Sequence, residues 1–326
     1  MLTRRSFTAL ATGSVAAATA GCVHQPAPKP FARVGFLIGT GFEGLSSAFR
    51  GELDRLGYRE GKNLVLEARL SRPNTRDGAL QAAELAGLDL NVIVAGALPY
   101  ALELKRLGTQ TPVVIATGPG LVSNGLVQSL ARPGGNFTGL DELPPGVTSR
   151  RLRLLKTAAP NITRVALLST TPGQGGHESQ LADAQAAAPS LGITVLPYRA
   201  TNLAELEAAL ARIVADGMEG MLSFQGGLTL VNRVLIADFA RRHRLPAIYQ
   251  SSLFVEAGGL MSYAPDQEEQ YREAARLADK ILKGTSPADL PVRYPDRYFL
   301  SINRAAAQAI GLNLPPALLA RADHLI

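Results

Sequence analysis

At 326 residues the chain exceeds one minimal core and has the length of two ordinary domains. Hydrophobic residues at 46% and charged residues at 18% exclude general disorder, and 33 basic against 27 acidic side chains leave a diffuse net charge of +6. The longest basic run, Arg241-Arg242-His243-Arg244, reads as a solvated helix end and argues against a dedicated nucleic-acid surface. A single cysteine and four scattered histidines (His24, His177, His243, His324) provide neither an internal disulfide nor a metal-ligand spacing, so no metal and no cofactor is expected.

Residues 1–30 read as an export signal and tether. Thr3-Arg4-Arg5-Ser6-Phe7 precedes an alanine-rich apolar stretch over 9–20, shorter than the roughly 20 apolar residues that span a bilayer. The paired arginines resemble a twin-arginine signal, with Thr8 where Leu is usual. Cleavage after Ala18-Thr19-Ala20 competes with a lipobox reading of Ala20-Gly21-Cys22, in which Cys22 carries the lipid. The following His24-Gln25-Pro26-Ala27-Pro28-Lys29-Pro30 suits a tether and favours lipidation.

From Phe31 onward, strands and helices alternate. An apolar run over 33–38 ends in Gly39-Thr40-Gly41 and predicts a buried parallel strand entering a loop. Helical spacing over 45–56 stops at Gly57; strands follow over 63–68, 92–95 and 112–116, with helices over 79–86 and 98–107. The break Arg132-Pro133-Gly134-Gly135-Asn136 interrupts this rhythm. It resumes with helices over 148–158, 178–188, 203–215 and 230–242 and strands over 165–169, 194–197, 220–224 and 247–249. Such alternation predicts two α/β lobes with parallel sheets and right-handed connections. A cleft is then expected at the carboxyl ends of both sheets.

Gly39-x-Gly41-x-x-Gly44, with Glu67 read as ending the second strand, matches a dinucleotide fingerprint and keeps an exported NAD(P)-binding oxidoreductase as an alternative. No hydride-transfer constellation accompanies it, because nothing in the sequence orients His177. There is no Gly-x-Ser-x-Gly elbow, and Asp141 and Glu142 read as solvated turn acids. An enzyme is therefore not expected.

Five segments carry a family resemblance. They are LGYREGKN at 56–63, LVQSLARPGGNFTGL at 126–140, FVEAGGLMSY at 254–263, ILKGTSPADLP at 281–291 and IGLNLPPALLARAD at 310–323. In this order they resemble a bacterial family of ABC-transporter substrate-binding proteins, similar to tryptophan-binding lipoproteins. The resemblance implies a type I periplasmic binding fold: two Rossmann-like lobes joined by three crossovers, expected near 137–140, 249–254 and 290–295. Lobe one is then 31–139 plus 253–289, and lobe two 140–252 plus 290–326. The family's Asp-Pro pair after the fourth strand is Gly120-Leu121 here, its polar pair opening lobe two is Ser169-Thr170, and its Ser-Tyr-Gly is Ser262-Tyr263-Ala264.

The function so implied is capture of a small organic solute, with an amino acid as the suggested class. The protein would act as a monomer at the extracytoplasmic face, for an ABC permease in the inner membrane. A periplasmic sensor with the same lobes is the alternative. Ligand contacts are expected at the strand ends: Gly39, Thr40, Gly41, Gly96, Ala97, Leu98, Thr117 and Gly118 from lobe one. Ser169, Thr170, Phe224, Gln225, Tyr249 and Gln250 are expected from lobe two, with Tyr100 or Phe42 as an apolar wall.

Overall fold

The computed structural model describes Phe31–Ile326 apart from residues 41, 72–75, 171–174 and 225. The export signal, both cleavage readings, Cys22, Gly41 and Gln225 lie outside the described residues.

The first sheet is built from β1 (Ala32–Gly39), β2 (Leu64–Ser71), β3 (Val92–Ala95), β4 (Val113–Ile115) and β5 (Phe137–Gly139). Between them lie α1 (Glu43–Arg55), α2 (Arg76–Ala86) and α3 (Leu98–Arg106). The order is β2-β1-β3-β4-β5, and every pairing is parallel. The last six residues of β1 are all buried, as a strand covered on both faces requires. Val34, Phe36 and Ile38 pack into one helix layer and Leu37 into the other, the period-two alternation of a strand.

The second sheet collects β6 (Arg164–Ser169), β7 (Thr194–Arg199), β8 (Gly220–Ser223), β9 (Ala247–Tyr249), β10 (Met261–Pro265), β11 (Tyr298–Ile302) and β12 (His324–Leu325). The helices interleaved in the chain are α4 (Val147–Ala158), α5 (Gly175–Ala187), α6 (Leu203–Ala215), α7 (Gly227–Val231), α8 (Arg233–Arg242), α9 (Leu253–Glu256), α10 (Gln267–Leu282), α11 (Arg304–Ala309) and α12 (Pro316–Leu319). The order β12-β11-β10-β9-β8-β6-β7 is parallel except where β11 runs against β10.

The chain leaves the first sheet after Gly139, so the segment read as a crossover also contributes the edge strand β5. The second passage differs from expectation. Residues 253–265, assigned from sequence to lobe one, belong with lobe two, because β10 pairs with β9 and β11 and Phe254 stacks on Tyr249. The passage falls at Pro265-Asp266, where Asp266 accepts from the Glu269 N–H (3.1 Å) and caps α10. That helix returns to lobe one and lays Tyr271, Ala274, Ala275 and Ala278 on Phe36 and Phe49. Glu52 on α1 fastens it, accepting from Arg55 (2.6 Å) and Arg276 (2.8 Å). These two guanidinium groups, Arg55 first, hold the Glu52 carboxyl down at about 2. The third passage follows α10: Thr138 Oγ1 donates to Leu290 O (2.7 Å) and Leu140 bridges Arg293.

Three further expectations are corrected. The helix over 230–242 divides at Asn232, whose Nδ2 donates to Leu228 O (2.8 Å) and closes α7. Asp141 and Glu142 are buried at 4% and 3% exposure, not solvated. The Asp141 carboxylate is the point where the Gly120, Leu121 and Leu143 N–H groups converge (3.0, 2.8 and 3.0 Å). Glu67 does not end its strand: it pairs with Gly35 inside β2, whose end is Ser71, and it meets Arg69 at 3.3 Å. The acid of the dinucleotide reading is therefore not at the carboxyl edge where a ribose would lie.

Candidate ligand-binding cleft

In the first sheet β1 sits between β2 and β3, so the chain turns opposite ways from neighbouring strand ends and leaves a crevice there. Gly39 at the end of β1, Gly96-Ala97 after β3 and Thr117-Gly118 after β4 floor that crevice. Lobe two faces it with Gly226, Gly227, Leu230 and Val231 around α7 and with Gln250-Ser251 after β9. The cavity there measures about 90 Å³. Phe42, Leu45, Leu98, Pro99 and Tyr100 give it an apolar wall, and Gln267 and Tyr271 reach it from α10. A side chain at position 96 would not fit: its Cβ would lie 2.8 Å from both Leu37 O and the Tyr271 hydroxyl.

Four of the hydroxyl protons at this site, those of Tyr271, Thr117, Tyr100 and Thr229, are already committed. Tyr271 Oη and Thr117 Oγ1 both donate to Gly96 O (2.8 and 2.9 Å), and Tyr100 Oη donates to Ser71 O (2.8 Å). Burial pushes the Tyr100 phenol up to about 12 and the Tyr271 phenol higher still, so both stay neutral at physiological pH. On the other lobe Thr229 Oγ1 donates to Gly226 O (2.8 Å) and receives Gln250 Nε2 at 3.4 Å. The Gln250 carboxamide oxygen is buried without a partner. Among the described residues, every one lining the cavity is uncharged.

The lobes meet beside the cleft with no side chain between them. A Cβ on Gly176, in the first turn of α5, would lie 2.7 Å from Pro119 O. One on Gly120 would lie 2.8 Å from the Gly176 Cα.

Of the residues expected from sequence, Gly39, Gly96, Ala97, Leu98, Thr117, Gly118 and Gln250 line the cavity, as do Tyr100 and Phe42. Thr40 is exposed, and its N–H donates to Ser71 O (3.1 Å). Ser169, Thr170, Phe224 and Tyr249 are buried and do not line this cavity. The pleat turns Phe224 inward, edge-on to the His177 ring at 5.5 Å, and Tyr249 stacks on Phe254 at 4.4 Å. His177, which the sequence left without an orienting group, has one: its Nδ1 lies 2.5 Å from Ser169 Oγ. Burial lowers the affinity of its ring for a proton. Sequence reasoning missed Gln267 and Tyr271, which come from the returning helix. It also missed the α7 wall, although the Gly226-Gly227 pair after a strand was a usable signal.

Comparison with known proteins agrees with this architecture. A curated relative, the tyrosine-binding protein of Clostridioides difficile (strain R20291), is 22% identical over 260 residues, covering 80% of this chain and 74% of its own. The ABC domain in complex with L-Trp from Streptococcus pneumoniae superposes with a TM-score of 0.84 at 22% identity, over 91% of this chain and 100% of that one. A conserved domain protein from Vibrio cholerae O1 biovar El Tor gives 0.83 at 26% identity, over 90% and 99%. The fold is that of type I periplasmic binding proteins. The family model described as ABC transporter substrate binding protein matches residues 36–326, and the chain belongs to that family.

Proposed function

We propose that the chain is the extracytoplasmic solute receptor of an ABC importer and captures an amino acid with an apolar side chain between its two lobes. The observation that carries this reading is the cavity at the strand ends, walled by both lobes, with backbone and neutral polar groups on its floor and Phe42, Leu98 and Tyr100 at its side. Tyrosine and tryptophan binding by the relatives supports the solute class. Gly39, Gly96, Ala97, Leu98, Thr117, Gly118 and Gln250 are the proposed contacts.

The mechanism is a population shift that requires no chemistry on the solute. A ligand touching both lobes binds the closed arrangement better than the open one and so favours closure. The closed shape then docks on a permease as a monomer. A lipid on Cys22 would hold the receptor near that permease and raise its effective concentration. The test is a thermal-shift and calorimetry panel on residues 23–326 with aromatic and branched amino acids, sugars, dicarboxylates and NAD(P). Ligand at about 100 times Kd stabilises by about 2.7 kcal/mol, which is read as a shift of several degrees. A response to amino acids alone is expected; a response only to NAD(P) would overturn the proposal.

A further inference from the structure

We infer that Gln250, with Thr117 and Tyr271, forms a neutral acceptor set for a nitrogen that bears several hydrogens, an ammonium or a primary amide, on the captured solute. The inference rests on the solute-binding reading above and names the chemistry of one end of the ligand. It begins with the orientation of the Gln250 carboxamide. Thr229 has given its proton to Gly226 O, so its oxygen can only accept, and the group facing it must be the Gln250 NH₂. The carboxamide oxygen therefore points elsewhere. It is buried and has no donor, and its residue lines the cavity.

A buried acceptor left unpaired destabilises a fold. Such a group inside a cleft is accounted for when a ligand supplies the missing donor. Across the cavity, the Thr117 and Tyr271 hydroxyls have sent their protons to Gly96 O and keep only lone pairs to offer. Three residues that carry neutral acceptors thus line a cavity of about 90 Å³, and no described side chain there carries a charge. A ligand hydroxyl has one proton and would satisfy one of them; an ammonium has three and no acceptor capacity. Phe42 and Tyr100 stand in the same wall, and an aromatic ring tolerates a cation nearby.

The test pairs amines with their des-amino counterparts: L-tryptophan against indole-3-propanoate, L-tyrosine against 3-(4-hydroxyphenyl)propanoate, and L-leucine against 4-methylpentanoate. Each is titrated calorimetrically into wild type and Gln250→Met. In wild type the amine-bearing member of a binding pair is expected to bind at least tenfold tighter. In Gln250→Met that difference should shrink to about threefold or less, while the ligand-free melting temperature holds or rises because an unpaired acceptor has gone. Equal binding within the pairs, or a preference that survives in Gln250→Met, overturns the inference. So does a variant that fails to fold or melts lower by more than loss of the 3.4 Å Gln250 Nε2–Thr229 Oγ1 contact accounts for, since the oxygen then has a structural partner. If no pair binds to wild type, the amino-acid reading of the preceding section fails. The ligand-free melting temperatures then still decide whether the Gln250 oxygen is an unpaired acceptor.

Discussion

Gly176→Ala tests whether the observed arrangement of the lobes is the binding-competent one. The added methyl would sit 2.7 Å from Pro119 O and 3.0 Å from the Pro119 carbonyl carbon and Cβ. The nearest Pro119 atom is a backbone oxygen and its Cβ belongs to a fixed ring, so no side chain can rotate out of the way. Relief comes from small backbone shifts or from the lobes moving apart. Overpacking of this kind costs about 1–3 kcal/mol. That cost falls on the closed arrangement and not on either lobe alone, because the contact joins α5 to the loop after β4. At about 1.4 kcal/mol per tenfold, the solute found in the panel should bind about 5- to 150-fold more weakly. Calorimetry measures the loss, and small-angle scattering with ligand should show a larger radius than wild type. Gly51→Ala is the control, since an added Cβ there meets nothing within 4 Å. Wild-type affinity in Gly176→Ala, with Gly51→Ala unchanged, would refute the argument that this glycine contact belongs to the bound state.

Two further predictions concern the groups that hold the lobes in shape. Glu52→Gln removes the anion shared by Arg55 and Arg276 and should cost about 1.5–3 kcal/mol near neutrality. Because folding lowers this carboxyl from 4.5 to about 2, its stabilisation is fully present above about pH 4.5 and is lost as pH falls toward 2. The melting-temperature gap between wild type and variant should therefore be widest at pH 6–7 and close across that acidic window. Asp141→Ala strands the Gly120, Leu121 and Leu143 N–H groups and should cost on the order of 2–5 kcal/mol. Hydrogen exchange should accelerate first at Gly120 and Leu121, and an unchanged exchange pattern would contradict the role given to this carboxylate.

Much of the framework was legible because buried parallel strands read as unbroken apolar runs: β3 and β9 have the limits their sequence implies, and β1 differs by a residue at each end. The strand-end rule also found most of the cavity floor, since glycines at 39, 96 and 118 sit where three parallel strands end against the cavity. What it could not supply was the direction of the residue just past each strand. Phe224 just past β8 and Tyr249 at the end of β9 both turn into the core, while Gln250, one residue beyond Tyr249, meets the cleft. Lobe membership over 253–265 was also hidden, because local pattern shows that β10 is a strand but not which sheet it joins. The pairing of Glu52 with Arg276 and of Phe36 with Tyr271 is long-range and leaves no local trace.

The return of α10 also orders events during synthesis. Phe36 and Phe49 are made early, yet Tyr271 and Ala274, which cover them, emerge from the ribosome more than 200 residues later. Until then the first sheet has an uncovered apolar face, and such a surface is exposed to aggregation or chaperone capture. Lobe one therefore completes only after most of lobe two's strands have been translated, despite coming first in the chain. Neither lobe corresponds to a contiguous fragment, and pulse-labelled nascent chains released before residue 267 should remain protease-sensitive in β1 and α1.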